Sequence, residues 1–156
     1  MMFFDYMKPG EEEKVANFVW SVFEEFEASG YKKEGINEFK NFILPEKMKV
    51  RCESGKIFIL CCKDMDEIVG VISIRESSHI SLLFVKKEYQ RRGIARRLFE
   101  LALEKCCTAK PNLQVITVNS SLYAVGIYEK MGFEATDSEQ EKDGIIFTPM
   151  KLTVNL

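Results

Sequence analysis

The sequence is poor in the residues that build metal sites. It has a single histidine, and its five cysteines include two adjacent pairs but no Cys-x-x-Cys spacing. Structural zinc sites take four Cys or His ligands at characteristic spacings, so we predict that the protein holds no metal. The cysteines fit reduced thiols in a protein core better than disulfides, which are rare in the cytosol. They are Cys52, Cys61, Cys62, Cys106 and Cys107.

Other absences argue against further classes of protein. The net charge is only −2, from 22 basic against 24 acidic side chains, which argues against a nucleic-acid binder with a broadly basic surface. Residues 1–14 lack a basic region followed by a long apolar run, unlike a signal peptide. The longest uncharged apolar stretch, Ile57 to Cys62, is too short to span a bilayer. We therefore expect a soluble, cytoplasmic protein.

The chain shows no internal boundary. It has no repeat, no low-complexity tract and no linker rich in Pro, Gly or Ser. Its 156 residues are enough for one domain with a sizeable core. A single domain over residues 1–156 is expected.

The hydrophobic pattern alternates between helical and strand periods. Apolar spacings of three and four predict a first helix from Glu11 towards Gly30 and a second from Glu34 to Leu44, stopping before Pro45. Two more helices are predicted at 94–106 and 122–131. The predicted strands are 2–7, 56–63, 67–76, 79–86, 114–118 and 133–136, followed by a final hairpin at 145–154. This order predicts an α+β domain on one mixed sheet with about four helices.

The most informative segment joins a predicted buried strand to a helix through a basic turn, Gln90-Arg91-Arg92-Gly93-Ile94-Ala95. Gly93 and the small Ala95 let the backbone approach a bulky ligand. The first amides of a helix lack internal partners and bind anions, and two arginines lie beside them. The turn therefore predicts a phosphate or pyrophosphate site. The alternative is a basic turn that caps an ordinary surface helix.

Two motifs relate this turn to a known family. The turn lacks the lysine and hydroxyl of a P-loop and has one glycine where a dinucleotide fingerprint has three. It fits the pattern Q/R-x-x-G-x-G/A through Gln90, Gly93 and Ala95. Downstream, residues 119–133 end in Tyr-Glu-Lys-Met-Gly-Phe. With these two motifs the chain resembles the GNAT superfamily of acetyl-CoA-dependent N-acetyltransferases over roughly residues 56–152.

The resemblance implies a fold and a cosubstrate. It implies a single-domain GNAT fold with a mixed, mostly antiparallel sheet whose central strands splay apart. The exposed backbone of the strand before the turn would pair with the pantetheine arm of acetyl-CoA, and the Val85 amide would face the thioester oxygen. The implied cofactor-binding residues are Leu83, Phe84, Val85, Gln90, Arg91, Arg92, Gly93, Ile94, Ala95 and Tyr128, with Asn119 or Ser121.

The resemblance also implies a mechanism. A primary amine would attack acetyl-CoA directly in a ternary complex, and Tyr128 would protonate the departing thiolate. The other interpretation of Tyr128 is a core residue of an amphipathic helix. Many family members have an asparagine seven residues before this tyrosine, where this chain has Ser121, while Asn119 lies two residues earlier. Either side chain could bind the cofactor, or Ser120 or Ser121 could cap the helix.

Several questions stay open at this point. The sequence does not identify the proton acceptor; the candidates are Glu24, Glu25, Glu76, His79 and Ser81. The acceptor amine and the oligomeric state, monomer or homodimer, are also open. In this family the acceptor is recognised by the first two helices and the late hairpin, here 11–44 and 138–146. These segments are rich in glutamate, which favours a cationic acceptor.

Two other functions compete with acetyl transfer. One is a sensor that binds CoA or acyl-CoA without turnover, which the presence of Tyr128 disfavours. The other is a nucleic-acid-associated module that uses Arg91, Arg92, Arg96 and Arg97, which the acidic total disfavours.

Overall fold

The computed structural model describes residues 1–154; the last two residues of the predicted domain, 155 and 156, lie outside the described part. The helices are α1 (Glu12–Phe26), α2 (Lys33–Phe42), α3 (Pro45–Glu53), α4 (Ile94–Ala109) and α5 (Val125–Lys130). The strands are β1 (Met2–Tyr6), β2 (Ile57–Asp64), β3 (Glu67–Arg75), β4 (His79–Val85), β5 (Val115–Ser120), β6 (Glu134–Ala135), β7 (Gln140–Lys142) and β8 (Ile145–Thr153). These elements confirm the α+β class. None of the helices in residues 1–154 has the length and apolarity needed to cross a membrane.

The strands build one mixed sheet. Its order is β1-β2-β3-β4-β5-β8-β6, and β7 pairs with β8 beside this path. Among the described pairs only β4 and β5 run parallel. They pair at His79 with Thr117 and at Ile80 with Val118, and then separate. The predicted splay of the central strands is confirmed.

Helices cover both faces of the sheet. Neighbouring residues of β2 point to opposite faces, so Cys61 belongs to a buried cluster with Val19 of α1, whereas Cys62 belongs to one with Leu98 of α4. Because both faces are buried, β2 and β3 carry nearly continuous apolar runs. Cys61, Cys62 and Cys106 are free thiols inside these cores.

Helix α3 is absent from the sequence-based prediction, which ended the second helix before Pro45. The proline is in fact the first residue of α3. Proline fits this position because the first amide of a helix needs no partner and its ring presets the helical φ. The expected count of helices was therefore one short within residues 1–154.

The elements near the carboxyl end also differ from the prediction. Residues 145–153 form one strand, β8, and the hairpin lies earlier, between β7 and β8. Asp143 and Gly144 make its turn with φ of 53° and 80°, as an Asp-Gly hairpin turn requires. The helix expected at 122–131 begins only at Val125, after a turn.

Helix α2 packs directly on this hairpin. A side-chain carbon added to Gly35 would lie 2.1 Å from the carbonyl oxygen of Gly144. The Lys32 amide donates to the same carbonyl at 3.3 Å, and the Lys32 side chain pairs with Glu141 at 3.0 Å. The two segments expected to recognise the acceptor are thereby brought into contact.

Candidate active site

A cleft of about 500 Å³ lies beside the separation of β4 and β5. Its walls are the end of α1 with Glu27, the end of β4, the turn into α4, the first turn of α4, and α5 with the turn before it. Its volume lies within the range of small-molecule sites, about 300–1,000 Å³.

In the described residues, the end of β4 has no strand partner on the side away from β3, although the Val85 carbonyl accepts from the Gln90 side chain there. The Lys86 amide donates to the Val69 carbonyl at 2.9 Å, and Val85 lies opposite Gly70 in the antiparallel register. Because bonded and non-bonded pairs alternate along such a ladder, Leu83 and Val85 direct their amides and carbonyls away from β3. Strand β5 pairs only near the start of β4, so these groups face the opening.

Gly93 shapes the turn that leads into α4. It is the N-cap residue of the helix and has a φ of 81°, where residues with a side chain are strained. No atom lies within 4 Å of a side-chain carbon placed there. Gly93, Ile94 and Ala95 line the cleft, and the first amides of α4 lack helical partners. This arrangement is typical of an anion site.

Hydrogen bonds hold the turn in place. Gln90 Nε2 donates to the Val85 carbonyl at 3.0 Å, and its Oε1 accepts from the Tyr123 hydroxyl at 3.2 Å. Tyr89 donates to Asp64 Oδ2 at 2.6 Å. The turn is thus tied to β2, to β4 and to the segment before α5, which preorganises it for a ligand.

Most of the predicted site residues meet in this cleft. Those lining it are Leu83, Phe84, Val85, Gln90, Arg91, Gly93, Ile94, Ala95 and Tyr128. Arg92 instead packs on the Tyr89 ring, 4.9 Å from its centroid. Asn119 is exposed on β5, opposite Pro149. The buried Ser121 hydroxyl accepts the Ala124 amide at 3.2 Å within the turn before α5, but the N-cap of this helix is Ala124, without a side-chain cap, so the alternative prediction of a helix cap at Ser120 or Ser121 was wrong.

Tyr128 belongs to both the core and the cleft. It is 5% exposed, and its ring meets Phe133 edge to face at 5.4 Å. Burial raises the pKa of Tyr128, and Glu27 and Tyr31 raise it further when they are ionised. The hydroxyl therefore keeps its proton at neutral pH, as a donor to a leaving group must.

Glu27 is an acidic group in the cleft that was missed from the sequence. It follows the last residue of α1 and lines the cleft together with Tyr128. Burial raises the pKa of its carboxyl to about 7, against a hydrogen bond with Ser121 that lowers it. The sequence offered one signal, an acid at the end of a helix, where the helix dipole disfavours negative charge.

Comparison with known protein families identifies the family of this chain. Residues 27–154 match the acetyltransferase (GNAT) domain. The chain belongs to the GNAT acetyltransferase family. No curated protein matches this GNAT chain.

Solved structures share its fold. A GCN5-related N-acetyltransferase from Rhodopseudomonas palustris has a TM-score of 0.81 at 22% identity, over 97% of this chain and 95% of that one. The PaiA N-acetyltransferase from Thermoplasma acidophilum, solved with coenzyme A, has a TM-score of 0.76 at 20% identity, over 98% and 99%. An aminoglycoside 6′-N-acetyltransferase, also solved with coenzyme A, has a TM-score of 0.64 at 13% identity, over 99% and 98%. At these identities the likeness establishes the GNAT fold.

The proton-acceptor candidates from the sequence lie away from the cleft wall of this GNAT protein. They are Glu24, Glu25, Glu76, His79 and Ser81. His79 Nδ1 lies 2.7 Å from Thr117 Oγ1, where β4 and β5 are still paired. Burial, with a smaller contribution from the charge of Arg75, lowers the pKa of His79 to about 4. The imidazole is therefore a neutral structural group.

Positively charged side chains outnumber negatively charged ones on the cleft wall. Arg91, Arg96 and Lys130 line it, against Glu27 as the only carboxylate among the lining residues of the described part. Arg96 also donates to the Lys130 carbonyl at 2.9 Å, which joins α4 to the end of α5. The excess of positive charge suits a phosphate-bearing ligand.

Proposed function

We propose that this protein is an N-acetyltransferase that moves the acetyl group of acetyl-CoA to a primary amine by direct attack in a ternary complex. One N-acetyltransferase domain spanning residues 1–156 would carry the reaction in the cytoplasm. A single observation carries this proposal: in a GNAT protein, one cleft combines the free backbone edge of β4, the Gly93 turn and the buried Tyr128 hydroxyl. Two structures of the same fold, both solved with coenzyme A, support it.

The cleft fits the parts of acetyl-CoA. The pyrophosphate would bind at the Gly93 turn and the first amides of α4, with Arg91 and Arg96 supplying positive charge. The pantetheine arm contains amides and would pair with the backbone of Leu83 and the amide of Val85 as an added strand does. Acetyl-CoA would supply the acetyl group as a thioester.

Two groups of the chain would act on the reacting atoms. The Val85 amide would donate to the thioester oxygen as negative charge develops there. The Tyr128 hydroxyl would donate to the departing sulfur. Arg92, Asn119 and Ser121 do not line the cleft. Their contacts with the cofactor stay predictions from the sequence.

A screen of amines with acetyl-CoA tests the proposal. Polyamines, amino sugars, amino acids and peptides with a free amino terminus are incubated with the protein, and both CoA and acetylated product are measured by mass spectrometry. We expect CoA release that depends on at least one amine and persists after treatment with a chelator. Binding of acetyl-CoA without transfer to any amine would contradict the proposal and support a CoA sensor.

A further inference from the structure

We propose that Glu27 accepts a proton from the ammonium group of the acceptor, and so serves as the catalytic base of the acetyl transfer. The inference rests on the function proposed above and deepens it, because it requires the acceptor to enter the cleft as a cation. Glu27 lies on the cleft wall with Tyr128, which holds the proposed acid and base in one site.

The surroundings of Glu27 leave its charge unbalanced. The charge of Glu27 raises the pKa of two neighbouring hydroxyls, those of Tyr31 and Tyr128. A hydrogen bond with Ser121 lowers the pKa of Glu27 itself. In residues 1–154 no lysine, arginine or histidine forms an ion pair with it.

The cations on the same cleft wall do not supply the missing charge. Arg91, Arg96 and Lys130 line the cleft, but among the described residues none of them forms an ion pair with the Glu27 carboxyl. A largely buried carboxylate without a cation is costly, and proteins keep such groups chiefly where chemistry uses them. A substrate ammonium group would supply the missing partner.

The proposed step balances protons and electrons. The Glu27 carboxylate takes one proton from the acceptor R–NH₃⁺, which leaves a neutral amine with a lone pair. That pair forms the C–N bond to the thioester carbon, and the C–S bond breaks with its electrons on sulfur. Tyr128 gives its proton to the sulfur, and the second proton lost by nitrogen restores the tyrosine. Glu27 then releases its proton to solvent, so each turnover yields one amide, one CoA thiol and one proton.

Glu27 and Tyr128 are electrostatically coupled, and the coupling favours proton transfer from Tyr128. The negative charge of Glu27 is one cause of the raised pKa of Tyr128. When Glu27 takes the amine proton, this charge disappears and Tyr128 becomes a stronger acid. The acid is thus strengthened at the stage at which the thiolate leaves.

The pH dependence of Glu27→Gln tests the assignment. The glutamine keeps the size and hydrogen-bonding capacity of the side chain but cannot take a proton. We expect kcat/KM at pH 7.5 to fall about 10²–10⁴-fold with the best amine of the screen. In the native protein, kcat/KM should rise through a pKa near 7 and level off. In the variant the step near pH 7 should be absent. Its residual kcat/KM should instead increase with pH up to the pKa of the free amine, because only the unprotonated amine can then attack.

Glu24→Gln is the matched control, since Glu24 is an exposed acid of α1 three residues before Glu27, and its rate and pH profile should equal those of the native protein. A purely structural Glu27 would leave the pH profile of Glu27→Gln unchanged. An active native protein with an equally active Glu27→Gln variant would overturn the inference and leave the proposed function standing. A native protein that binds acetyl-CoA but acetylates no amine would overturn both.

Discussion

Strand β4 begins beside β5 and ends without it. At its start, His79 and Ile80 pair with β5, and the imidazole meets the Thr117 hydroxyl at 2.7 Å. At its other end, the backbone groups of Leu83 and Val85 face the cleft. One strand thus has a closed end, in which polar groups are satisfied within the protein, and an open end. At the open end the Leu83 backbone and the Val85 amide can meet a ligand, while the Val85 carbonyl accepts from the Gln90 side chain.

A titratable group with an unusual pKa belongs to each region. His79, at the closed end, has its pKa lowered to about 4, and Glu27, on the cleft, has its pKa raised to about 7. Burial is the main cause of both shifts, and in each case it favours the neutral form. A shifted pKa alone therefore does not separate a structural group from a chemical one. Access to the cleft separates the two groups, because Glu27 lines the cleft and His79 does not.

Tyr128→Phe should give the largest effect, at the open end. The change removes the hydroxyl while the ring keeps its packing on Phe133. Steady-state turnover should fall about 10²–10⁴-fold, the usual contribution of a general acid, while affinity for acetyl-CoA changes little. Tyr6→Phe, at the exposed sheet edge, is the control. Full turnover in folded Tyr128→Phe, with chemistry shown to limit the rate, would remove Tyr128 from the mechanism.

Gly93→Val should act on binding at the same end. Its side chain would project from the turn that lines the cleft, and we expect CoA affinity, measured by calorimetry, to fall at least about 100-fold, or ~2.7 kcal/mol. Gly55→Val is a matched control because Gly55 has nearly the same φ, 78°, and equally open space around it. Both variants should lose about 1–2 kcal/mol of stability from backbone strain. Equal CoA binding by the two variants would contradict the assignment of the turn.

Glu27→Gln should stabilise the fold at alkaline pH. Because burial raises the pKa of Glu27 from 4.5 to about 7, its contribution to stability is complete below pH 4.5 and is lost as the pH rises through 7. The variant should therefore be more stable than the native protein at pH 8, by about 1–3 kcal/mol, and equal to it at pH 4. Urea unfolding at the two pH values measures this. A variant that is less stable at pH 8 would show that the charged carboxylate supports the fold.

His79→Gln should give the smallest effect, at the closed end. The pKa of His79 is lowered, so its contribution to stability is present above pH 6.5 and is lost as the pH falls through 4. Glutamine does not titrate, so the stability of the variant relative to the native protein should rise between pH 7 and pH 4. We expect a rise of about 1 kcal/mol rather than the full ~3 kcal/mol, because the imidazole is only partly buried and solvent screens its charge. Turnover at pH 7.5 should be unchanged. A large loss of turnover would mean that the closed end takes part in the chemistry.

The sequence by itself determined the turn at Gln90 to Ala95. Its function depends on neighbours in the chain: a glycine that tolerates positive φ, small residues beside it, and a helix that begins at once. The same holds for β2, in which the unbroken apolar run from Ile57 to Cys62 indicates that both faces of the strand are covered. Such features depend on consecutive residues and can therefore be predicted from the sequence.

Elements held mainly by their neighbours could not be read in this way. Strand β7 is the polar and exposed segment Gln140–Lys142, without an alternating pattern, and it is a strand because it pairs with β8. Pro45 ends one helical pattern and begins the next helix, so the local signal fits a stop as well as a start.

Only the tertiary structure separated Glu27 from the other acids at the end of α1. Glu24, Glu25 and Glu27 are alike in the sequence, and the first two are exposed. Glu27 lies where α1 ends against the segment of Ser121 and Tyr128, which are distant in the chain. Desolvation depends on atoms brought together from the whole chain, so the pKa of a carboxyl, and with it the ability to take a proton near neutral pH, is decided by packing rather than by neighbours in sequence.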